Sequence, residues 1–213
     1  MRIYHPRDPR DPAYASATIR GTWTPGRGPC PECKASTSEL LAPLVIEWES
    51  GSDVVGDFVW PGVDNVVVVS DRVRRALEEQ FPCDFRPVEM RQDPGVRRPA
   101  KQTGRTKSRA WLPHRGPPLW WWLVPLGSAK LDMKASNWTF EKHCSTCGKE
   151  HWRVPREDRH TIVDRSSWTG HDIFTIRGAG WIFCTEKVRI WIAGQGFLNV
   201  AFTKDGLISE SVR

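Results

Sequence analysis

Two pairs of cysteines carry the most specific chemistry in the chain: Cys30-Pro31-Glu32-Cys33 and Cys144-Ser145-Thr146-Cys147-Gly148. Two residues between thiols let both sulfurs face one metal ion about 2.3 Å away, while the tight turn aims backbone N–H groups at them. Two such pairs complete a tetrahedron of four thiolates, a closed arrangement that stabilises a fold and leaves no position for a substrate. The expected cofactor is therefore a structural Zn²⁺ held by Cys30, Cys33, Cys144 and Cys147. His143 and His151 flank the second pair and are alternative ligands. Gly148 suits a left-handed turn residue after the second pair. Lys34 takes that place after the first, at a cost of about 1 kcal/mol if its φ is positive. A redox pair would open a helix, and neither Cys-x-x-Cys precedes a helical pattern. Cys83 and Cys184 lack a partner pattern and are not assigned to the metal.

Other chemistry is sparse. The phosphate-binding Gly-x-x-x-x-Gly-Lys-Ser/Thr, the zinc-protease His-Glu-x-x-His and the nucleophile-bearing Gly-x-Ser-x-Gly are absent. Six histidines are scattered: His5, His114, His143, His151, His160 and His171. His171-Asp172 lies near Ser166, Ser167 and Thr169, but proximity in sequence without geometry carries little weight. No catalytic residue is assigned, and the chain is not expected to be an enzyme.

The elements that must position the cysteines occur twice. At a shift of 114, Cys30 and Cys33 fall on Cys144 and Cys147; at 115, Asp57 falls on Asp172. At the same shift Val66-Val67-Val68-Val69-Ser70-Asp71 falls on Trp181-Ile182-Phe183-Cys184-Thr185-Glu186. Each apolar run reads as a strand covered on both faces. Ser70 and Thr185 offer hydroxyl caps for a following helix. Asp71 and Glu186 put negative charge at its positive end. Val73, Ala76 and Leu77 form one apolar stripe, and Val188, Trp191 and Ile192 the other. Phe81-Pro82 and Gly194-Gln195-Gly196 stop the helices. Phe85–Val88 and Phe197–Phe202 read as the next strands. In the second copy His171 stands where the first has Gly56, so the shared acid reads as a turn or cap.

The predicted fold class is α+β: two similar strand–strand–helix–strand modules, an internal duplication, joined through a four-cysteine zinc-ribbon-like site. Residues 1–90 form the first module, 91–118 a basic linker and 119–213 the second, together one compact domain. Leu119-Trp120-Trp121-Trp122-Leu123-Val124 lies between Pro118 and Pro125 and reads as a strand buried on both faces.

The chain has 213 residues, 39% of them hydrophobic, with twelve tryptophans supplying bulk for a core. Its net charge of +6 sits in one place. Residues 91–118 carry eight basic side chains and one acid; outside them 23 basic residues face 24 acidic ones. Such a Pro/Gly/Lys/Arg-rich stretch does not fold alone. It reads as a solvated loop before it reads as an arm for nucleic acid. The sequence holds no apolar run long enough to cross a membrane and no secretory signal near Met1. A cytoplasmic, reduced setting follows as the expectation, so the cysteines are read as thiols and not as disulfides.

The paired cysteines resemble those of the double-CXXCG-motif immunity proteins of bacterial toxin–immunity systems. So does the tail Ser166-Ser167-Trp168-Thr169-Gly170-His171-Asp172-Ile173-Phe174, followed by Gly180-Trp181-Ile182-Phe183-Cys184-Thr185-Glu186. The resemblance implies an antidote that binds one cognate protein toxin. Trp120, Trp121, Trp122 and Trp168 are then the candidate contact residues, because tryptophan dominates interface energetics. The competing reading is a zinc-ribbon nucleic-acid binder acting through residues 91–118. A neutral body and the lack of a basic recognition helix weigh against it.

Overall fold

The computed structural model describes residues 1–20, 29–35, 40, 43–49, 52, 54–63, 65–92, 120–153, 161–177 and 181–209. The basic segment 91–118 lies outside the described residues except at Arg91 and Gln92, and so does Leu119. Along the chain the elements are β1 (Arg2–Arg7), β2 (Ala17–Ile19), β3 (Leu44–Trp48), β4 (Phe58–Val59), β5 (Val68–Ser70), α1 (Asp71–Glu78), β6 (Cys83–Gln92) and β7 (Trp120–Pro125). They continue with β8 (Gly127–Leu131), β9 (Thr139–His143), β10 (Glu150–Arg153), β11 (Thr161–Asp164), β12 (Ile173–Arg177), β13 (Ile182–Thr185), α2 (Glu186–Gly194) and β14 (Ala201–Ile208). The protein is mostly sheet. Against the α+β expectation, the described α-helices are only α1 and α2, of eight and nine residues, with one 3-10 turn at Arg165–Ser167.

One sheet runs β2–β3–β6–β7–β5–β4 and stays open. The other runs β8–β11–β14–β1–β13–β12 and closes into a barrel where β12 pairs with β8. Strand directions follow the same sequence in both: antiparallel, parallel, then three antiparallel pairs. The hairpin registers match at the shift of 115. Phe58 faces Val69 as Ile173 faces Cys184, and Val59 faces Val68 as Phe174 faces Phe183.

One pair of elements crosses over. β7, from the second half, lies between β5 and β6 of the first. β1, from the first half, lies between β13 and β14 of the second. The halves thus exchange their first strands, and the boundary expected at residue 90 does not separate two independent sheets. The same contacts lock both exchanges. Trp121 Nε1 of β7 donates to Asp71 in the first turn of α1 (3.0 Å), and Tyr4 Oη of β1 donates to Glu186 in the first turn of α2 (3.1 Å). Arg74 covers the Trp121 ring at 4.5 Å, and Arg189 covers Tyr4 at 4.8 Å. Cation–π pairs of this kind contribute roughly 0.5–1 kcal/mol each when exposed.

Three apolar clusters fill the molecule. Ile3, Leu131, Val163, Phe174, Ile176, Phe183 and Ile208 pack together, one or two from each barrel strand. Leu44, Ile46, Trp48, Val59, Val66, Val68 and Val88 line the corresponding side of the open sheet. Between the halves, Phe58, Val69, Val73, Leu77 and Leu123 meet Tyr4, Ile173, Ile182, Val188 and Ile192 in a shared core. Val73 and Leu77 of α1 and Val188 and Ile192 of α2 are the buried stripe positions, as the 3.6-residue period requires.

Local chemistry departs from expectation in three places. Ser70 caps α1 by accepting from the Val73 N–H, but the Thr185 hydroxyl makes no such cap and donates to Asp172 at 2.6 Å. The Trp120–Val124 run forms β7 with only Leu123 fully buried, so it is not covered on both faces. The last strand begins at Ala201, because Asn199 turns the chain at φ +64°. β4 stops at Val59, two residues before Pro61, which has no N–H to extend a ladder.

Candidate metal centre

The segment between β2 and β3 carries Cys30 and Cys33, and the segment between β8 and β11 carries Cys144 and Cys147. Each pair folds into the same turn. Lys34 N–H donates to the Cys30 carbonyl at 2.8 Å and Gly148 N–H to the Cys144 carbonyl at 2.9 Å. The amides of Cys30 and Cys144 in turn donate to the carbonyls of Ala35 and Lys149. The turn puts its closing residue at φ +60° for Lys34 and φ +70° for Gly148. Lys34 therefore occupies the conformation anticipated for it, without the glycine that would adopt it freely.

The two knuckles meet face to face. Cys30 Sγ lies 3.7 Å from Cys144 Sγ, and Cys33 Sγ lies 3.6 Å from Cys147 Sγ. All four sulfurs fall within 4.8 Å of one another. Metal–sulfur bonds of about 2.3 Å at tetrahedral angles separate sulfurs by about 3.8 Å, so the cluster has the right size to hold one metal ion. Cys30 and Cys144 are buried and Cys33 and Cys147 are half-buried. Among the described residues no histidine joins the cluster, so His143 and His151 are not part of it. His143 pairs with Glu150 across the β9–β10 hairpin.

The crowded thiols sit in unlike electrostatic surroundings. The Cys33 backbone N–H favours the Cys30 thiolate and lowers its pKa to about 7. Burial pushes Cys144 up to about 12. Four thiolates in this volume require a cation among them, and a bound metal keeps its thiol ligands deprotonated.

Glu32, one of the two residues between the first pair of cysteines, ties the knuckles together. Its carboxylate accepts from the Thr146 hydroxyl at 2.6 Å and from Ser145 at 3.2 Å. Those bonds, the Thr146 one foremost, hold its pKa below the ordinary glutamate value. The sequence offered only weak signs of this link: an acid inside one pair and two hydroxyls inside the other.

Cys83 and Cys184 stay outside the cluster. The Cys83 thiol donates to the Phe81 carbonyl at 3.3 Å, and burial raises its pKa to about 12. Cys184 is buried in β13, and burial raises its pKa as well. All six cysteines are free of disulfides.

The four tryptophans singled out for contact are not part of the four-sulfur cluster and are partly buried. Trp120 packs edge-on against Trp48 at 5.9 Å, Trp121 bonds Asp71, and Arg86 sits 5.5 Å from the Trp122 ring centroid. Trp168 Nε1 donates to the His171 carbonyl at 3.0 Å. Trp120 and Trp122 pack against the open-sheet core, Trp121 against the shared core and Trp168 against the barrel core. His171 Nδ1 reaches the Thr169 hydroxyl at 3.1 Å and has no acid against it, so no Ser/His/Asp set is assembled there.

The repeated acids act as clamps. Asp57 accepts from the Ser70 hydroxyl, the Arg72 guanidinium and the Leu198 N–H. Asp172 accepts from the Thr185 hydroxyl and Lys187. Burial opposes ionisation of Asp57, but the Arg72, Leu198 and Ser70 bonds outweigh it and leave its pKa below 3.8.

No protein-family model matches the chain, and no curated protein matches it in sequence. Among the described residues no helix is long and apolar enough to cross a membrane.

Proposed function

We propose that this chain is a duplicated, zinc-clamped immunity protein that neutralises one cognate bacterial toxin in the cytoplasm by binding it. The reading starts from the resemblance carried by the two cysteine pairs and the tail from Ser166 to Glu186. The observation that supports it best is the closed four-sulfur cluster between two interleaved halves. An antidote that works by occlusion needs a rigid surface and no open coordination position. Four thiolates in a tetrahedral set select zinc or iron, and zinc brings no redox chemistry of its own. Toxin contact falls to Trp120, Trp121, Trp122 and Trp168 where their rings are exposed. Phe140 and Trp152, stacked edge-to-face at 5.0 Å on the exposed β9–β10 hairpin, join them.

The test is stoichiometric. Co-expression with the toxin encoded beside it rescues growth, and the purified pair elutes as one complex carrying one zinc per immunity chain. Failure to protect, together with nucleic-acid binding that weakens steeply with salt and disappears on deleting residues 95–109, replaces this reading with the nucleic-acid one.

A further inference from the structure

The barrel of the second half closes where β12 meets β8, with Phe174 opposite Gly127 and Ile176 opposite Ala129. In the first half the equivalent seam, between the end of β4 and the start of β2, carries no strand pairing among the described residues, and a cleft of about 340 Å³ opens beside it. Pockets for small organic ligands begin at about 300 Å³. The exchanged strand β1 and the residues after it run along this cleft and supply His5, Arg7 and Arg10. Trp60 comes from the first half and Trp181 from the second. A smaller cavity of about 230 Å³ shares Asp8, Arg10 and Trp60 and reaches Asn199.

We propose that this cleft binds a phosphorylated planar molecule of the nucleotide class, with the phosphate on Arg7, Arg10 and His5 and the ring against the indoles. Three observations on the arginines support the assignment. Arg7 and Arg10 are exposed, and neither makes an ion pair with a described residue. Arg10 holds φ +57°, a strained conformation for a residue with a side chain. Asp8, which also lines the cleft, accepts the Arg10 backbone N–H at 2.7 Å. Guanidinium groups bind phosphate through paired, charge-assisted hydrogen bonds.

Behind the cleft, His5 is held in place. Its ring stacks on Trp181 at 5.4 Å and 15°, and its Nδ1 faces the Asp205 carboxylate at 3.6 Å. The Asp205 side chain is 9% exposed, and both facing atoms are buried without a hydrogen-bond partner. Asp205 also accepts from the Thr161 hydroxyl, which fixes its orientation. With Nδ1 turned toward this carboxylate, Nε2 is the nitrogen left for a ligand, the arrangement by which a buried acid orients a functional imidazole. In the adjoining cavity, Asn199 is 9% exposed and its Oδ1 is a second buried acceptor without a partner. It suits an amino or hydroxyl group on the same ligand. Trp60 stacks on Phe58 at 6.1 Å, which fixes the orientation of its indole at the cleft wall.

Titration calorimetry on the full metal-loaded chain tests the site with adenosine 5′-monophosphate, adenosine and inorganic phosphate as separate probes. The monophosphate is expected to bind once per chain with a Kd below about 1 mM, and each of the other two at least about tenfold more weakly. Arg7→Gln with Arg10→Gln, both at exposed positions, should weaken the monophosphate at least about tenfold while leaving the thermal midpoint unchanged. Asp205→Asn should weaken it less, by acting through His5. Absence of binding at millimolar concentration, or equal binding by the double variant, overturns the site. Phosphate binding as tightly as the monophosphate overturns the planar half of the assignment, and adenosine doing so overturns the anionic half.

Discussion

β12 runs for five residues and meets β8; its counterpart β4 stops after two, and among the described residues no strand meets it on that side. Two side chains account for the difference. Pro61 stands where the second half has Ile176, and Ala15 stands where it has Gly127. At Gly127 a Cβ would fall 2.7 Å from the Phe174 Cβ and 2.6 Å from the His171 Cβ, so only glycine lets the seam close. Ala15 carries that atom and Pro61 lacks the donor. One strand plan therefore yields a sealed barrel in one place and an open cleft in the other.

The strongest way to break the comparison is at the feature the halves share. Cys30→Ser and Cys144→Ser should be equally damaging, each loosening the metal and costing several kcal/mol, because metal-binding energy is folding energy. Metal content and thermal unfolding of the purified variants report this. An intact metal site in either variant would mean that the halves do not contribute equally. A chelator should mimic both, and acidification should release the metal as protons compete for the thiolates.

Closure comes next. Gly127→Ala should destabilise by about 1–3 kcal/mol through overpacking, whereas Ala15→Gly should cost about 1 kcal/mol, because it removes a buried methyl and loosens the unfolded backbone while relieving no clash. Denaturant midpoints at unchanged m-value separate the two.

The acid clamps give a smaller contrast. Asp57→Asn should cost about 2 kcal/mol and Asp172→Asn about 1, since Asp57 alone also holds the Leu198 N–H of the other half. The folded pKa of Asp57 lies below its ordinary 3.8. Its contribution is therefore complete above about pH 4 and is lost as the pH falls toward the lowered folded value. Acid unfolding followed by circular dichroism should start at higher pH in wild type than in the Asn variant relative to their neutral-pH stabilities. Smallest of all, Lys34→Gly should stabilise by about 0.5–1 kcal/mol, and Gly148→Lys should do the reverse.

Much of the repeat was legible because chemistry fixes it locally. Cysteine spacing, an acid thirteen or so residues before a capped helix, and helical stripes at Val73/Leu77 and Val188/Ile192 all survive as sequence pattern. The strand exchange was not legible. β1 reads Arg-Ile-Tyr-His-Pro-Arg, too polar to announce a place between two strands of a barrel, and its partners lie about 180 to 200 residues away, where no local pattern reaches. Nor was the closure, which turns on the absence of one methyl group at Gly127. Thr185 misled as a cap: like Ser70 it donates to the acid of its hairpin, but unlike Ser70 it accepts no helix N–H. The cleft residues His5, Arg7 and Arg10 carried no motif; they gather only because β1 is delivered to the other half.

The exchanged strands also set a timetable for synthesis. A chain emerging from the ribosome presents β5 and β6 well before β7, the strand that must lie between them, and presents β1 long before any of its partners exist. The first half thus leaves the tunnel with an unfilled gap in its sheet, and the barrel cannot form until Ala201–Ile208 has been made. Folding in the cell is then a late event governed by long-range pairing, and the nascent first half carries exposed strand edges through most of translation.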